Sequence, residues 1–243
     1  MDYFENFNTE NPNEEEEYEV NNLNYSSKST RLNFIKKVYS ILLAQILFTS
    51  LMISCSIFIE AYRKFFISNT WLFFLAIIAT FVVLYILVYT NQARKVPQNY
   101  ILLFIFTLCE GYTLSFVGFY DKGIILAATI LTLAITIGLT VYAFTTDTDV
   151  TLQGGLFFIL GSVFMGLIIV GIFVKTRWYV ILVSAFGTVL YGLYIVYDTQ
   201  LILGTKSASL SIDDYILAAL MLYIDIVGLF VQILELLNAI SDN

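Results

Sequence analysis

Residues 213–238 read DDYILAALMLYIDIVGLFVQILELLN, a run whose apolar body is interrupted only by Asp225, Gln232 and Glu235 among strongly polar side chains. A stretch this long exceeds the ~20 residues that an α-helix needs to cross a hydrocarbon core of ~30 Å. Working outward, six further apolar runs fall at about 36–60, 70–90, 99–119, 123–144, 154–174 and 178–203. The segments between them are short and polar, which forces neighbouring helices to run antiparallel. Pro12 and Pro97 are the only prolines, so little interrupts the helices. The expected fold is all-α: a polytopic membrane protein with seven transmembrane helices in one domain, residues 31–243.

Composition agrees. The 243-residue chain is 59% hydrophobic and 13% charged, more apolar surface than a soluble core of this size can bury, so its expected partner is the lipid bilayer. The net charge of −7 is concentrated at the start, where Asp2, Glu5, Glu10, Glu14, Glu15, Glu16, Glu17 and Glu19 stand. Without them the body is nearly neutral, which excludes a nucleic-acid surface. Residues 1–30 have too little apolar surface to offset the entropy of ordering and are expected to form a disordered acidic cytosolic tail. The chain opens acidic and polar where a signal peptide would be basic and then apolar, so the first membrane helix is expected to serve as the targeting signal. The sequence has no His, which removes His-ligated zinc hydrolases and His-activated nucleophiles. Cys55 and Cys109 lie in apolar runs without metal-ligand spacing and read as core residues.

Orientation follows from Lys and Arg, which mark the cytosolic side. With the N-terminus inside, Lys28, Arg31, Lys36, Lys37, Arg94, Lys95 and Lys206 are cytosolic, against Arg63, Lys64, Lys122, Lys175 and Arg177 outside. The expected N-terminus is cytosolic.

An ionisable group at membrane depth costs roughly 2.5–3.5 kcal/mol even on the lenient insertion scale, so each needs a partner, water or a proton. Four candidates stand in the runs: Glu110, Asp198, Asp225 and Glu235. Asp198 is near the end of the sixth run and Asp225 is about a dozen residues into the seventh, so both lie in the half nearest their connecting loop. Two carboxyl groups close together in low dielectric cannot both ionise cheaply, so such a pair is expected to share a proton and to act as a pH-sensing gate. Fully ionised, it would repel or recruit a hard cation such as calcium. On the seventh helix Asp225, Gly228, Gln232 and Glu235 recur at helical spacing, one polar stripe that either lines a hydrated path or packs against small residues of its neighbours. Arg94 lies on the same side as both aspartates and either compensates their charge or snorkels to the interface.

These residues carry a resemblance. Arg31-Leu-Asn-Phe-Ile-Lys-Lys-Val-Tyr-Ser-Ile-Leu, Phe106-Thr-Leu-Cys-Glu-Gly, Ser115-Phe-Val-Gly-Phe-Tyr-Asp121, Tyr197-Asp-Thr-Gln-Leu-Ile-Leu-Gly204 and Asp214-Tyr-Ile-Leu-Ala-Ala-Leu-Met-Leu-Tyr-Ile-Asp-Ile-Val-Gly-Leu-Phe230 resemble the Bax-inhibitor family, in its lifeguard and Golgi anti-apoptotic branch. The resemblance spans about residues 31–240. It implies a seven-helix bundle with the last helix central, residence in Golgi or endoplasmic-reticulum membranes, a pH-sensitive calcium leak that regulates calcium stores, and protection from cell death. It also implies anti-apoptotic or calcium-handling membrane proteins as partners. It makes Asp198 and Asp225 the gating pair and possible calcium contacts, and Arg94 their charge partner. Glu110, Gln232 and Glu235 are then pore-lining candidates, with calcium as permeant ion and no cofactor. Ile226-Val227-Gly228 departs from the polar residues that relatives often show after the second aspartate, so the finer pore lining is not carried over.

Two other classes remain in view. A non-conducting scaffold that regulates apoptosis through protein partners fits the same helices. An intramembrane aspartyl protease also pairs a Tyr-Asp with a second Asp, as Tyr197-Asp198 does. However, its Gly-x-Gly-Asp motif is replaced by Leu222-Tyr223-Ile224-Asp225, and no proline follows Pro97 to supply Pro-Ala-Leu. The expected protein is not an enzyme.

Overall fold

A computed structural model of the protein describes residues 12–241, with side chains from residue 28 onward. Its α-helices are α1 (Pro12–Phe58), α2 (Glu60–Ser68), α3 (Thr70–Tyr89), α4 (Gln98–Thr113), α5 (Lys122–Thr145), α6 (Gly154–Gly171), α7 (Arg177–Leu203) and α8 (Tyr215–Ser241). Seven segments among the described residues are long and apolar enough to cross a membrane: Lys28–Phe58, Thr70–Tyr89, Gln98–Phe119, Lys122–Thr145, Val150–Gly171, Arg177–Leu203 and Ile212–Ser241. The protein is an all-α polytopic membrane protein, and each span falls on one of the apolar runs.

Two segments differ from the sequence reading. Of the tail expected to be disordered over 1–30, residues 1–11 lie outside the described residues, and from Pro12 the backbone is helical and continuous with α1. Pro12 stands where a helix tolerates proline best, because its missing N–H would have no partner there, and Glu is a good helix former. The expectation of disorder weighed missing apolar surface and not this local preference. The link after the first span also forms a helix, α2. It is held by a Glu60–Lys64 pair at 2.9 Å, one turn apart, and by Phe66, which packs against Phe73, Tyr112 and Phe119.

The last helix is central. α8 packs against α1, α4, α5 and α7, and 50% of its apolar window is buried inside the protein, against 11% for the span ending at Gly171. Phe34, Val38, Leu42, Phe106, Ile216, Leu220 and Tyr223 form the core near the end of the bundle that carries Arg31. Val117, Ile125, Ile195, Leu229, Ile233 and Leu234 form it near the end that carries Arg177. Outside this core Phe81, Phe158, Phe173 and Trp178 are exposed, apolar surface that only lipid can solvate.

Each end is closed by an arginine that satisfies the orphan carbonyls of a neighbouring helix. The Arg31 guanidinium donates to the carbonyls of Leu201 (2.7 Å), Leu203 (3.2 Å) and Leu210 (2.7 Å), capping α7. At the other end Arg177 donates to the carbonyls of Ala239 (2.8 Å) and Ile240 (3.0 Å), capping α8. Gly204 ends α7 with φ of 65°, and a Cβ there would stand 2.5 Å from Arg31 Cζ. Both the left-handed backbone and the guanidinium seat therefore require glycine.

Gly204→Ala is expected to lower stability by roughly 1–2 kcal/mol from backbone strain alone, with a further loss from displacement of Arg31. Thermal unfolding of the purified protein in detergent measures this, and the Ala substitution should cost less in an Arg31→Ala background. Equal cost in both backgrounds would show that the steric contact is unimportant.

Candidate functional site

Asp198 sits on α7 six residues before Gly204, and Asp225 sits on α8 eleven residues after Asp214. Their helices run antiparallel side by side, which brings the two carboxyl groups within hydrogen-bonding reach of one another. Both are buried, Asp198 5% exposed and Asp225 6%, and Asp225 Oδ2 has no hydrogen-bond partner. Charges this close repel by about 4 kcal/mol at 4 Å even at an effective dielectric of 20. Sharing one proton relieves that repulsion.

Aromatic packing positions the pair. Tyr191, Tyr194 and Tyr197 project from α7 at near-helical spacing, and each finds a glycine opposite it. Tyr194 Oη donates to the Phe157 carbonyl at 2.8 Å, where a Cβ on Gly161 would lie 2.4 Å away. A Cβ on Gly154 would lie 2.9 Å from Tyr197 Oη, and one on Gly228 would lie 2.3 Å from the Tyr191 ring. Small residues thus let backbones approach where lipid offers no hydrophobic drive for helix association. The stripe predicted on α8 is real, but it faces α7 and is filled. Asp225 meets Asp198, Gly228 receives Tyr191, and Gln232 sits against Gly187.

The remaining expected residues are dispersed. Glu235 accepts a 2.5 Å hydrogen bond from Tyr120, nearer the Arg177 end. Glu110 is half-buried on α4, near enough to Tyr191 and Tyr223 to interact electrostatically. The bundle contains a cavity of about 350 Å³ between α1, α5 and α8 and one of about 450 Å³ at the Arg177 end, neither lined by Asp198, Asp225, Glu110, Gln232 or Glu235. Among the described residues no group of three or more His, Cys, Asp or Glu is arranged to hold a metal. Calcium takes about six to eight oxygens, so the aspartates by themselves would be a passing contact for a hydrated ion and not a resident site.

Arg94 is placed differently from its expected role as charge partner of the pair. It ends a 3₁₀ turn, Asn91–Arg94, and its guanidinium grips Asp214 through two nitrogens, Nε to Oδ1 at 2.6 Å and Nη2 to Oδ2 at 2.9 Å. Asp214 lies about 16 Å along the helix axis from Asp225 at 1.5 Å per residue. The hydrogen bond and charge of Asp214 hold the Arg94 proton more tightly than usual. The physical reason is depth: Arg94 stands in the link after α3, and Asp214 is the buried carboxylate at that level. The sequence reading placed Asp214 at the start of the last apolar run and gave it no role. Its signal was an acid just before a long apolar helix, at the same end of the bundle as Arg94.

Between the pair and the Arg31 end lies a cover about 9 Å deep. Gln200, fully buried, donates from Nε2 to the Thr148 carbonyl (2.9 Å) and accepts from the Val150 N–H (2.9 Å), tying the loop before α6 onto α7. Lys206 donates to the carbonyls of Thr146 and Asp147 at 2.9 and 3.0 Å. Asp149 accepts from the Ser207 N–H at 3.0 Å and from the Thr151 hydroxyl at 2.6 Å. Neither loop appeared in the sequence reading as more than a link.

Comparison with known proteins agrees with this architecture. The family model described as "Inhibitor of apoptosis-promoting Bax1" matches residues 31–243. Protein lifeguard 3 of Mus musculus is 34% identical over 222 residues, covering 88% of this chain and 72% of its own. Bax inhibitor 1 of Schizosaccharomyces pombe is 33% identical over 219 residues, 89% of this chain and 80% of its own. The Golgi anti-apoptotic protein of vaccinia virus (strain Lister) is 33% identical over 215 residues, 88% of each chain.

The cover carries its own pH response. Hydrogen bonds from Ser207 and then Thr151 hold the Asp149 carboxyl well below the usual carboxylate range. A depressed folded value means that its contribution is complete above the unfolded-chain value and is lost as pH falls through the folded one. Hydrogen-exchange protection of the Ser207 and Ala208 amides is therefore expected to persist through mildly acid pH and to drop only below the ordinary carboxylate range. In Asp149→Asn it should be weaker already at neutral pH. Unaltered protection in that variant would mean that Lys206 and Gln200 hold the loops alone.

Proposed function

This chain belongs to the Bax-inhibitor family, and from that premise we propose that it is an anti-apoptotic membrane protein acting through a pH-sensitive calcium leak gated by Asp198 and Asp225. The reading takes the N-terminus as cytosolic and Golgi or endoplasmic-reticulum membranes as the setting. The names of the relatives support the first part: one is called a Bax inhibitor and another a Golgi anti-apoptotic protein. The observation that carries the second part is the meeting of two buried carboxyl groups from successive spans.

The gating argument is electrostatic. With one proton between them, the carboxyl groups attract and hold α7 against α8. Without it they repel, in surroundings where separation or a cation is the only relief. The relief that a cation supplies is greatest for a divalent, oxygen-seeking ion such as calcium. Tyr191, Tyr194 and Tyr197 close the path around the pair, and the loop cover closes it toward the Arg31 end, so passage requires α7 to shift against α8 and α6. Glu235, bonded to Tyr120, then belongs to the opposite mouth.

A second reading, a scaffold that regulates apoptosis through protein partners without conducting, is favoured by the dry packing of the stripe on α8. Calcium flux into liposomes holding the purified protein separates the two. The leak is expected to change with pH, and the change should vanish in Asp198→Asn and in Asp225→Asn, because an amide cannot trade the shared proton. Glu235→Gln should alter the leak less, since an amide still accepts from Tyr120. Equal effects of Asp225→Asn and Glu235→Gln would move the gate from the pair to the stripe, and absence of flux at every pH would favour the scaffold.

A further inference from the structure

α1 and α5 each pack on the central helix, yet no comparable interface joins them to one another. The gap leaves Ile226, Val227 and Phe230 of α8 partly exposed on the otherwise most covered element of the fold. It forms a groove of about 350 Å³ whose walls include Ile46, Ile53 and Ile57 of α1 and Ile125 and Leu133 of α5, with Leu114 at one end. Four of the six hydroxyls on these walls are engaged, while Thr136 Oγ1 is buried without a hydrogen-bond partner. Thr129 and Thr132 donate to carbonyls one turn back at 2.8 and 2.7 Å, Ser54 donates to the Ser50 carbonyl at 2.8 Å, and Thr49 bonds Tyr223 Oη at 2.7 Å. The surface offered is apolar, and an apolar cavity of this size neither holds water well nor gains anything by staying empty.

Length and charge define the occupant. From Ile57 to Ile46 on α1, and from Ile125 to Thr136 on α5, the groove runs about 16 Å at 1.5 Å per residue. That is about half of a ~30 Å hydrocarbon core, from the interface at the Arg177 end to the midplane. A transmembrane helix from a partner would need both halves, whereas an acyl chain of one leaflet needs only this one. At the interfacial rim stands Lys122, exposed, with Nζ 5.5 Å from the centre of the Phe58 ring, so that it bridges the end of α1 and the start of α5. Among the described residues Lys122 has no salt bridge.

We propose that this groove binds one acyl chain of a glycerophospholipid from the leaflet at the Arg177 end, with the lipid phosphate at Lys122. The bound chain replaces the missing contact between α1 and α5 and completes the shell around α8. The site is independent of the gating pair, which lies on the α7 side of the same helix.

The test uses the full-length protein in liposomes of phosphatidylcholine that carries a photoactivatable diazirine on one acyl chain. Labelling is expected to concentrate on residues 46–57 and 125–136. Thr132→Trp, which fills the groove floor, should reduce it roughly tenfold, the factor for losing burial of about two methylenes. Ser50→Phe, at the exposed rim where misfolding is not at issue, should also reduce it. Lys122→Gln should reduce labelling by the phospholipid but not by a diazirine diacylglycerol of the same chain length, which lacks the phosphate. Labelling spread evenly over α6 and α3 as well would overturn the proposal, as would labelling unchanged in both groove variants. Crosslinks between two copies through α1 and α5 would also overturn it, by making the groove a protein interface.

Discussion

Two carboxyl groups that meet inside a bundle surrounded by hydrocarbon must share a proton or find a cation. The contact between Asp198 and Asp225 imposes that choice on everything near it. A single buried charge at this depth costs a few kcal/mol, and two adjacent charges cost more than the sum, so the packing around them stabilises only some protonation states. The surrounding structure holds α7 and α8 in register. Gln200 pins α7 to the loop before α6, the Arg31 guanidinium caps its last carbonyls, and Arg94 holds Asp214, the residue just before α8.

Cohesion in this bundle depends less on burying oil than on close approach, because lipid tails already solvate leucine and phenylalanine. The glycines opposite Tyr191, Tyr194 and Tyr197 supply that approach. Gly228 of α8 receives Tyr191, and Gly161 and Gly154 at the α6 side receive Tyr194 and Tyr197, so α7 is closely packed against both neighbours. The one place where close approach fails, between α1 and α5, lies on the opposite side of α8. There lipid can do what a neighbouring helix does elsewhere.

Arg94 and the tail illustrate two different limits on reading the chain in one dimension. For Arg94, the end of the bundle was legible but depth was not. It shares an end of the bundle with the aspartates, yet it lies a helical distance of about 16 Å from Asp225, and the nearer acid takes it. For residues 12–30, composition argued for disorder, while local propensity and a proline at a tolerated position favour helix. The two influences have opposite sign there, and composition alone does not weigh them.

The sequence by itself determined the seven spans, the antiparallel order and the helices that carry the paired acids. All of these follow from run length, spacing and the cost of exposing backbone or charge to hydrocarbon, which act on each segment separately. Only the tertiary structure decided that Asp198 and Asp225 point at one another, that the stripe on α8 packs against α7, that Arg94 belongs to Asp214, and that α1 and α5 stand apart. Those outcomes depend on the rotation and depth of one helix against another. Rotation and depth are set by contacts between residues distant in the chain, such as Gly228 with Tyr191 and Arg31 with Leu210, which periodicity along a single helix does not encode.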